Sequence, residues 1–521
     1  MSKLTAEQIL TKYKAAFSIK TTVDTRYKEV FELVMPDRDN YNKPDNDTTF
    51  DSNRENVYTS AGINSSTTFV NRIQADLTPI KGDWIEFQSN QYDEDKAEKD
   101  KEHAKVAALC NFYKNKSNFD QEAGSSYADL VAGTCCMLTQ KGKVANPFIF
   151  EAITIKDICV SKGVGNEVGY TFRKFKMKRE MLPYSWPELR DMKIDAISQN
   201  EDAEIYECTQ KDYEIGLYRY YVVDDKTKNI IVYREAPINN FTVLRWYNAP
   251  GEMYGRGVGL QALPDLKTLN KMTQYSLRTS AFNLPTFTVT QDGIFDPDEF
   301  ILEPGAMNPV ESNDVRNPSI AALPVNTNQA ANNFDEEKFE MRVKRTMLDN
   351  PLPDNVRPGI TATEIMERTQ ASNVNISSIF GRLENEWLIP LVKNMVYYLE
   401  QFGIIKEGYL DMIENGDVRI VINTPLMKMQ QQGQLMNVVQ MGAVMLQFDP
   451  TGRMANAAFK VPQVANYLMD KGGVPDNLQN SPEEMTANLA QMDADAQAAA
   501  DDELEKQTDA KMAVDTNKKE D

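Results

Sequence analysis

The sequence predicts an α+β fold in which helices predominate, built from more than one packed region. Three observations point there. Runs of 3.6-residue apolar period occupy the N-terminal third and most of the chain after residue 260, while Met137 to Glu235 carries the alternation of strands. Two helical runs of similar length, Gln261 to Asn283 and Phe334 to Leu348, flank an irregular segment rich in Pro and Asn. The 521-residue length also exceeds what a single small core needs.

Taken in order, residues 1 to 35 read as helices. Ile9, Leu10, Tyr13 and Phe17 share one face, and Tyr27, Val30, Phe31 and Val34 share another, until Pro36. Asp37 to Asn53 has the composition of a loop, and Ser60 to Leu77 resumes helical spacing. Trp84 to Phe87 is a short strand, and Asp93 to Ser117 and Asp120 to Met137 are two further helices. Within the β-rich block the best strands are Phe148 to Phe150, Val168 to Phe172 and Leu217 to Val223, with a helical insert over Lys178 to Gln199. Thr286 to Thr290 and Ala321 to Val325 are short strands between the paired helices. Asp349 to Gly359, DNPLPDNVRPG, is a loop by its turn residues. Thr361 or Thr363 caps a helix running to Gln401, Thr361 lying three residues before Glu364 as in a capping box, with a kink at Pro390. Arg419 to Ile422 is a strand, and Gln430 to Gln447 and Val461 to Met469 are helices. From Ser481 the chain holds twelve acids (Glu483, Glu484, Asp493, Asp495, Asp501, Asp502, Glu503, Glu505, Asp509, Asp515, Glu520, Asp521) against four lysines. Such a tail buries no core of its own.

Hydrophobic residues at 41% and charged residues at 26% are globular values, and the net charge is −20. That balance disfavours a protein that grips DNA by neutralising phosphates, but suits a channel wall that repels the duplex and lets it slide. No run approaches the roughly 18 apolar residues of a membrane span. Five cysteines with one adjacent pair and no CxxC spacing point to reduced thiols in a protein made in a cytoplasm.

Catalytic motifs are lacking. The single histidine, His103, sits in the charged run KEHAK and reads as a surface residue. No phosphate-binding P-loop is present, and no metal or cofactor set stands out. Asp292, Asp296, Asp298 and Glu299 lack the ligand order of a Ca2+ loop and read as a turn. Gly255, Gly257 and Gly259 alternate just before the helix at Gln261, a spacing that suits a hinge or close backbone packing rather than dinucleotide binding. Lys267, Lys271 and Arg278 share one face of that helix, and Lys344 and Arg345 lie on its partner among Asp335, Glu336, Glu337 and Glu340. Ion pairing is the plainer role for these bases, and DNA contact the alternative. The methionines at 427, 429, 436, 441 and 445 suit adaptable packing.

The segment Arg245 to Val289, RWYNAPGEMYGRGVGLQALPDLKTLNKMTQYSLRTSAFNLPTFTV, resembles the portal (head-to-tail connector) proteins of T7-like podovirus bacteriophages. AGINSSTTFVNRIQADLTPIKGDWIEF at residues 61 to 87 and ITATEIMERTQ at 360 to 370 resemble the same family in the same order. The resemblance implies the portal fold, assembled as a cyclic ring, usually of twelve subunits, at one capsid vertex. It carries genome packaging, retention and ejection, with no catalysis and no cofactor. Residues 1–260 become the wing, 261–283 and 334–348 the stem, and 284–333 the clip, where terminase or the tail adaptor docks. Residues 349–360 become the tunnel loop, 361–425 a long helix returning to the wing and 426–480 the crown, while 481–521, by its composition, is an acidic tail that is mobile or partner-dependent. The loop's Asp349, Asn350, Asp354, Asn355 and Arg357 then face double-stranded DNA. The implied partners include major capsid and scaffolding proteins, internal core or ejection proteins at the crown, and no membrane. Two readings compete: a metal-dependent nucleic-acid enzyme with Mg2+ held by Asp292, Asp296 and Asp298, and a different virion component such as a capsid or adaptor protein.

Overall fold

The computed structural model describes residues 3–36, 56–90, 96–190, 201–282, 287–290, 307–310, 329–349 and 381–425, with isolated positions elsewhere. The chain divides into two units, Met1–Asn423 and Thr424–Asp521. In the second unit only scattered residues are described, among them helical Met441, Val444 and Gln447. The 360–370 capping segment, Asp292 to Glu299, the 321–325 strand, most of the helices at 430–447 and 461–469, and most of the acidic tail lie outside the described residues.

The first unit opens with one continuous helix, α1 (Ala6–Val34), rather than the several expected before Pro36. A capping box starts it: Thr5 Oγ1 accepts from the Gln8 N–H, and Gln8 Oε1 accepts from the Thr5 N–H. Its two apolar faces belong to one rod that meets two different neighbours. Ile9, Tyr13 and Ala16 pack on Phe172, Tyr206, Cys208 and Tyr221 of a β-sheet. Tyr27, Val30, Phe31 and Val34 are buried near the C-terminal end. Phe17 is not part of the first face and stays exposed.

Helix α2 (Ala61–Leu77) buries Ala61, Gly62, Ser65 and Ser66. These small residues permit close approach: a Cβ on Gly62 would come 2.9 Å from the Leu33 carbonyl oxygen and 3.0 Å from a Leu266 methyl. Strand β1 (Ile85–Ser89) follows, then helices α3 (Lys96–Lys116) and α4 (Phe119–Leu130). The helix expected to reach Met137 ends early, because Gly133 takes φ +141 and Thr134 begins strand β2 (Thr134–Lys143). Residues 134–138 are wholly buried, and such a short apolar run has no period with which to distinguish strand from helix.

β2 is the centre of a three-stranded antiparallel sheet, between β3 (Asn146–Ile153) and β9 (Phe241–Arg245). A second sheet is an antiparallel meander in chain order: β4 (Ile158–Lys162), β5 (Val168–Lys178), β6 (Asp202–Lys211), β7 (Tyr218–Asp224) and β8 (Asn229–Ala236). The expected helical insert is reduced, among the described residues, to short turns, of which α5 (Leu182–Ser185) is the only α-helical one.

Then come α6 (Val258–Phe282), the parallel pair β10 (Phe287–Thr290) and β11 (Met307–Val310), and α7 (Gln329–Thr346). The irregularity expected at Pro390 takes the form of a π-helical turn over Glu384–Leu388, closed by the Ile389 N–H bonding to the Glu384 carbonyl. Pro390 has no N–H to continue the α-helical ladder, so it stands in the first turn of α8 (Ile389–Gln401). Helix α9 (Tyr409–Asn415) leads to β12 (Val418–Ile422), which pairs with β1 in the register Ile85↔Ile422. The end of the first unit thus returns to its beginning.

His103 is a correction. It is 6% exposed, and its Nδ1 lies 2.9 Å from the Tyr409 hydroxyl. The buried stripe of α3 is His103, Ala107, Cys110, Asn111 and Lys114, while Leu109 and Phe112 are exposed. All five cysteines are buried and none forms a disulfide.

Candidate functional site

The glycines at 255, 257 and 259 lie beside residues 131–134. The Gly257 N–H donates to the Ala132 carbonyl at 2.9 Å and the Gly259 N–H to the Val131 carbonyl at 2.9 Å. The Gly255 N–H donates to Thr134 Oγ1 at 2.8 Å, and the Trp246 N–H to the Gly133 carbonyl at 2.8 Å. A Cβ on Gly255 would fall 2.1 Å from the Gly133 oxygen, and one on Gly257 2.1 Å from the Val131 oxygen. Close backbone packing therefore requires both glycines.

The buried Tyr27 hydroxyl seals this junction by donating to the Gly255 carbonyl at 2.5 Å. Burial pushes the Tyr27 phenol well above its ordinary pKa, so its proton stays on oxygen. The Thr134 hydroxyl, 3.2 Å away, then donates to Tyr27 while accepting from Gly255. Nearby, Arg245 is almost fully buried and meets Glu386 of the π-helical turn through Nε at 3.1 Å and a terminal nitrogen at 2.7 Å. The same residue's N–H also reaches Glu386, at 3.3 Å.

From that anchored start α6 runs for 25 residues, about 37 Å at about 1.5 Å per residue. Val258, Ala262, Leu263, Leu266 and Leu269 are buried, and none of the described residues beyond them on α6 is. Asn270 Nδ2 donates to the Asn56 carbonyl at 2.8 Å, and Gln274 Nε2 to the Tyr58 hydroxyl at 2.9 Å. Val343 of α7 and Met347 just past its end are buried. α2 meets the first half of α6 at Leu266, which lies against Gly62, and the C-terminal end of α7 through Ser65 and Arg72, so the pair runs antiparallel from it. α6 exposes Tyr275 and Leu277 in its outer half, and α7 exposes Met341 two residues before its buried Val343.

α7 ends in a Schellman turn. The Asp349 N–H bonds to the Lys344 carbonyl at 2.8 Å and the Leu348 N–H to the Arg345 carbonyl at 3.2 Å. The left-handed residue is Leu348, φ +59, where glycine is usual, at a cost of about 1–2 kcal/mol. Two side chains of α2 reach this corner: Ser65 Oγ donates to Asp349 Oδ2 at 3.0 Å, and an Arg72 terminal nitrogen donates to the Leu348 carbonyl at 2.9 Å.

A family model described as bacteriophage head to tail connecting protein matches residues 6–479. The chain belongs to that family. No curated protein matches it. The connector is thus a virion component of the head-to-tail junction, and its family is structural.

Of the basic residues expected on this connector's helix pair, Lys267 pairs with Glu29 at 2.9 Å and Lys344 with Glu340 at 2.8 Å. Lys271, Arg278 and Arg345 are exposed. Asp349 is placed at the α2–α7 corner, whereas Asn350, Asp354, Asn355 and Arg357 lie outside the described residues. No three His, Cys, Asp or Glu side chains form a metal-holding group among the described residues, and no described helix is long and apolar enough to cross a membrane. Sequence reasoning missed Gly133, Tyr27, Glu386, Ser65 and Arg72. Only the small-residue pattern of AGINSST hinted at any of them, by marking a helix that others approach closely.

Proposed function

We propose that this connector is a portal subunit of the T7-like podovirus type. About twelve copies close into a ring at one capsid vertex, and double-stranded DNA passes through it during packaging, retention and ejection. The observation that carries this reading is the α6–α7 pair. It leaves α2 with its apolar residues buried, and it presents Tyr275 and Leu277 of the outer half of α6 and Met341 of α7 to solvent. A helix pair with apolar side chains on its outer surface gains from neighbours, and a closed cyclic arrangement supplies them to every copy.

On this reading residues 1–260 with 361–425 are the wing, α6 and α7 the stem, 284–333 the clip and 426–480 the crown. The clip meets terminase during packaging and the tail adaptor afterwards. The wing meets capsid and scaffolding proteins, and the crown meets internal core proteins. The net charge of −20 favours a wall that repels the duplex, and the pairing of Lys267 and Lys344 with carboxylates leaves them weak as phosphate clamps. The terminase supplies the ATPase.

The test is the mass and projection of the purified protein by light scattering and electron microscopy. A species of about 700 kDa, about twelve copies of 59.1 kDa, with a central hole supports the ring. A monomer or dimer that cleaves DNA in the presence of Mg2+ overturns it in favour of the enzyme.

A further inference from the structure

We propose that Ser65 and Arg72 are positioning residues. From α2 they fix the direction in which the chain leaves α7, and so where the segment after Asp349 begins relative to the DNA path. The functional half of this inference rests on the portal reading above. The geometric half does not.

Four facts carry it. Leu348 takes a left-handed conformation that a leucine does not favour, so something outside the turn has to hold it. The turn's own hydrogen bonds, to Lys344 and Arg345, are ordinary Schellman bonds and hold equally well around a glycine. Such turns are usually completed by an apolar contact from the residue after the left-handed one. Here that residue is Asp349, and the fully buried Ser65 bonds its carboxylate instead. Arg72 then caps the Leu348 carbonyl, while its Nε lies 3.5 Å from Asp76 one turn along α2.

α2 is itself held. Ser66 Oγ lies 3.1 Å from the Val34 carbonyl at the end of α1, and Gly62 lies against Leu33 and Leu266. A clamp on this helix therefore ties the exit of α7 to the wing and to the start of the stem. Arg72 and Ser65 hold two different groups of one peptide corner, the Leu348 carbonyl and the Asp349 side chain, which fixes its orientation as well as its position.

The test uses the full-length protein, with hydrogen exchange followed by mass spectrometry and the DNA content of assembled particles as its two readouts. Arg72→Met and Ser65→Ala should each raise exchange in the 343–349 peptide about tenfold and leave the middle of α6 unchanged. Particles carrying either variant should retain less DNA. Adding Leu348→Gly to Arg72→Met should restore protection and retention, because glycine adopts the turn without the clamp. A merely structural loss in α2 would not be rescued at residue 348. Unchanged exchange in both variants overturns the clamp, whatever the protein's assembly. Raised exchange with normal DNA content overturns its functional consequence. A wild-type protein that forms no ring is detected separately by mass. That result refutes the portal reading and the DNA consequence with it, while the exchange data still decide the clamp.

Discussion

Gly133 and Gly255 pack backbone to backbone: a Cβ on either would lie 2.1–2.2 Å from the other's carbonyl oxygen. The contact joins the start of β2 to the turn that launches α6, residues 122 positions apart in the chain (255 − 133). Gly255→Ala should therefore destabilise the protein by about 3 kcal/mol or more, at the upper end of single substitutions, because backbone must move on both sides. Gly251→Ala, with nothing near its Cβ position but φ +91, should cost only the strain of that conformation, about 1 kcal/mol. Thermal unfolding of the two variants checks the order. Equal shifts would show that the glycines serve flexibility rather than packing.

The Arg245–Glu386 pair fastens the end of β9 to the π-helical turn. Glu386→Gln keeps the shape but leaves the buried guanidinium without its charge partner, and should cost about 2–3 kcal/mol. Glu386→Gln with Arg245→Met should cost less than the sum of the two single changes. A double-mutant cycle by urea unfolding measures that coupling. Additivity within about 0.5 kcal/mol would mean that the pair is not a unit.

His103 is held neutral. Burial lowers its pKa below the ordinary 6.5, against the opposing pull of Asp100 and Glu102. With the folded value depressed, the unfolded chain takes up the proton first as pH falls. His103 thus contributes stability that is present above pH 6.5 and lost on acidification below it, by at most about 1.4 kcal/mol per pH unit. His103→Gln should flatten the stability curve between pH 5 and 6.5, because this is the chain's one histidine. Parallel curves for the two proteins in that window would place the titration elsewhere.

How far these features were legible depends on where their partners lie. The alternation of Gly255, Gly257 and Gly259 is local, so a close approach could be read from it, but the opposing strand at 131–134 is distant in sequence. α3 misleads for a different reason. Its buried stripe contains His103, Asn111 and Lys114, and Lys114 reaches the Gly82 carbonyl while its ammonium lies 5.0 Å from the Trp84 ring centre. Polar groups satisfied one by one in the interior carry no apolar period, and the exposed Leu109 and Phe112 put one on the wrong face. The α6–α7 pair was readable to within a few residues at each end because helical spacing and its interruption by Pro and Asn are local. The corner at Leu348 was not, since nothing in the sequence marks a leucine in a glycine's conformation.

The exposed apolar side chains of α6 and α7 offer the sharpest division between folding and assembly. Leu277 is 55% exposed and Met341 51% exposed in the single chain, so replacing either removes little buried area. A surface change of this kind shifts stability by no more than about 0.5 kcal/mol. If the same side chains meet a neighbouring copy, a carboxylate there is desolvated without a partner in every interface of the ring, and the penalty repeats with each subunit. Leu277→Asp combined with Met341→Asp should then leave the unfolding midpoint of the isolated chain within about 4 °C of the parent, since a loss of about 1 kcal/mol for the two together moves a domain of 150–250 residues by about 2–4 °C. The mass of the assembled species should collapse toward a single subunit. Lys267→Ala is the control: it breaks a half-exposed pair with Glu29 and should change neither quantity measurably. A double-aspartate variant that still elutes at the parent's mass would show that Leu277 and Met341 face solvent in the assembly, and any contact between copies would have to be sought on another face of α6 and α7.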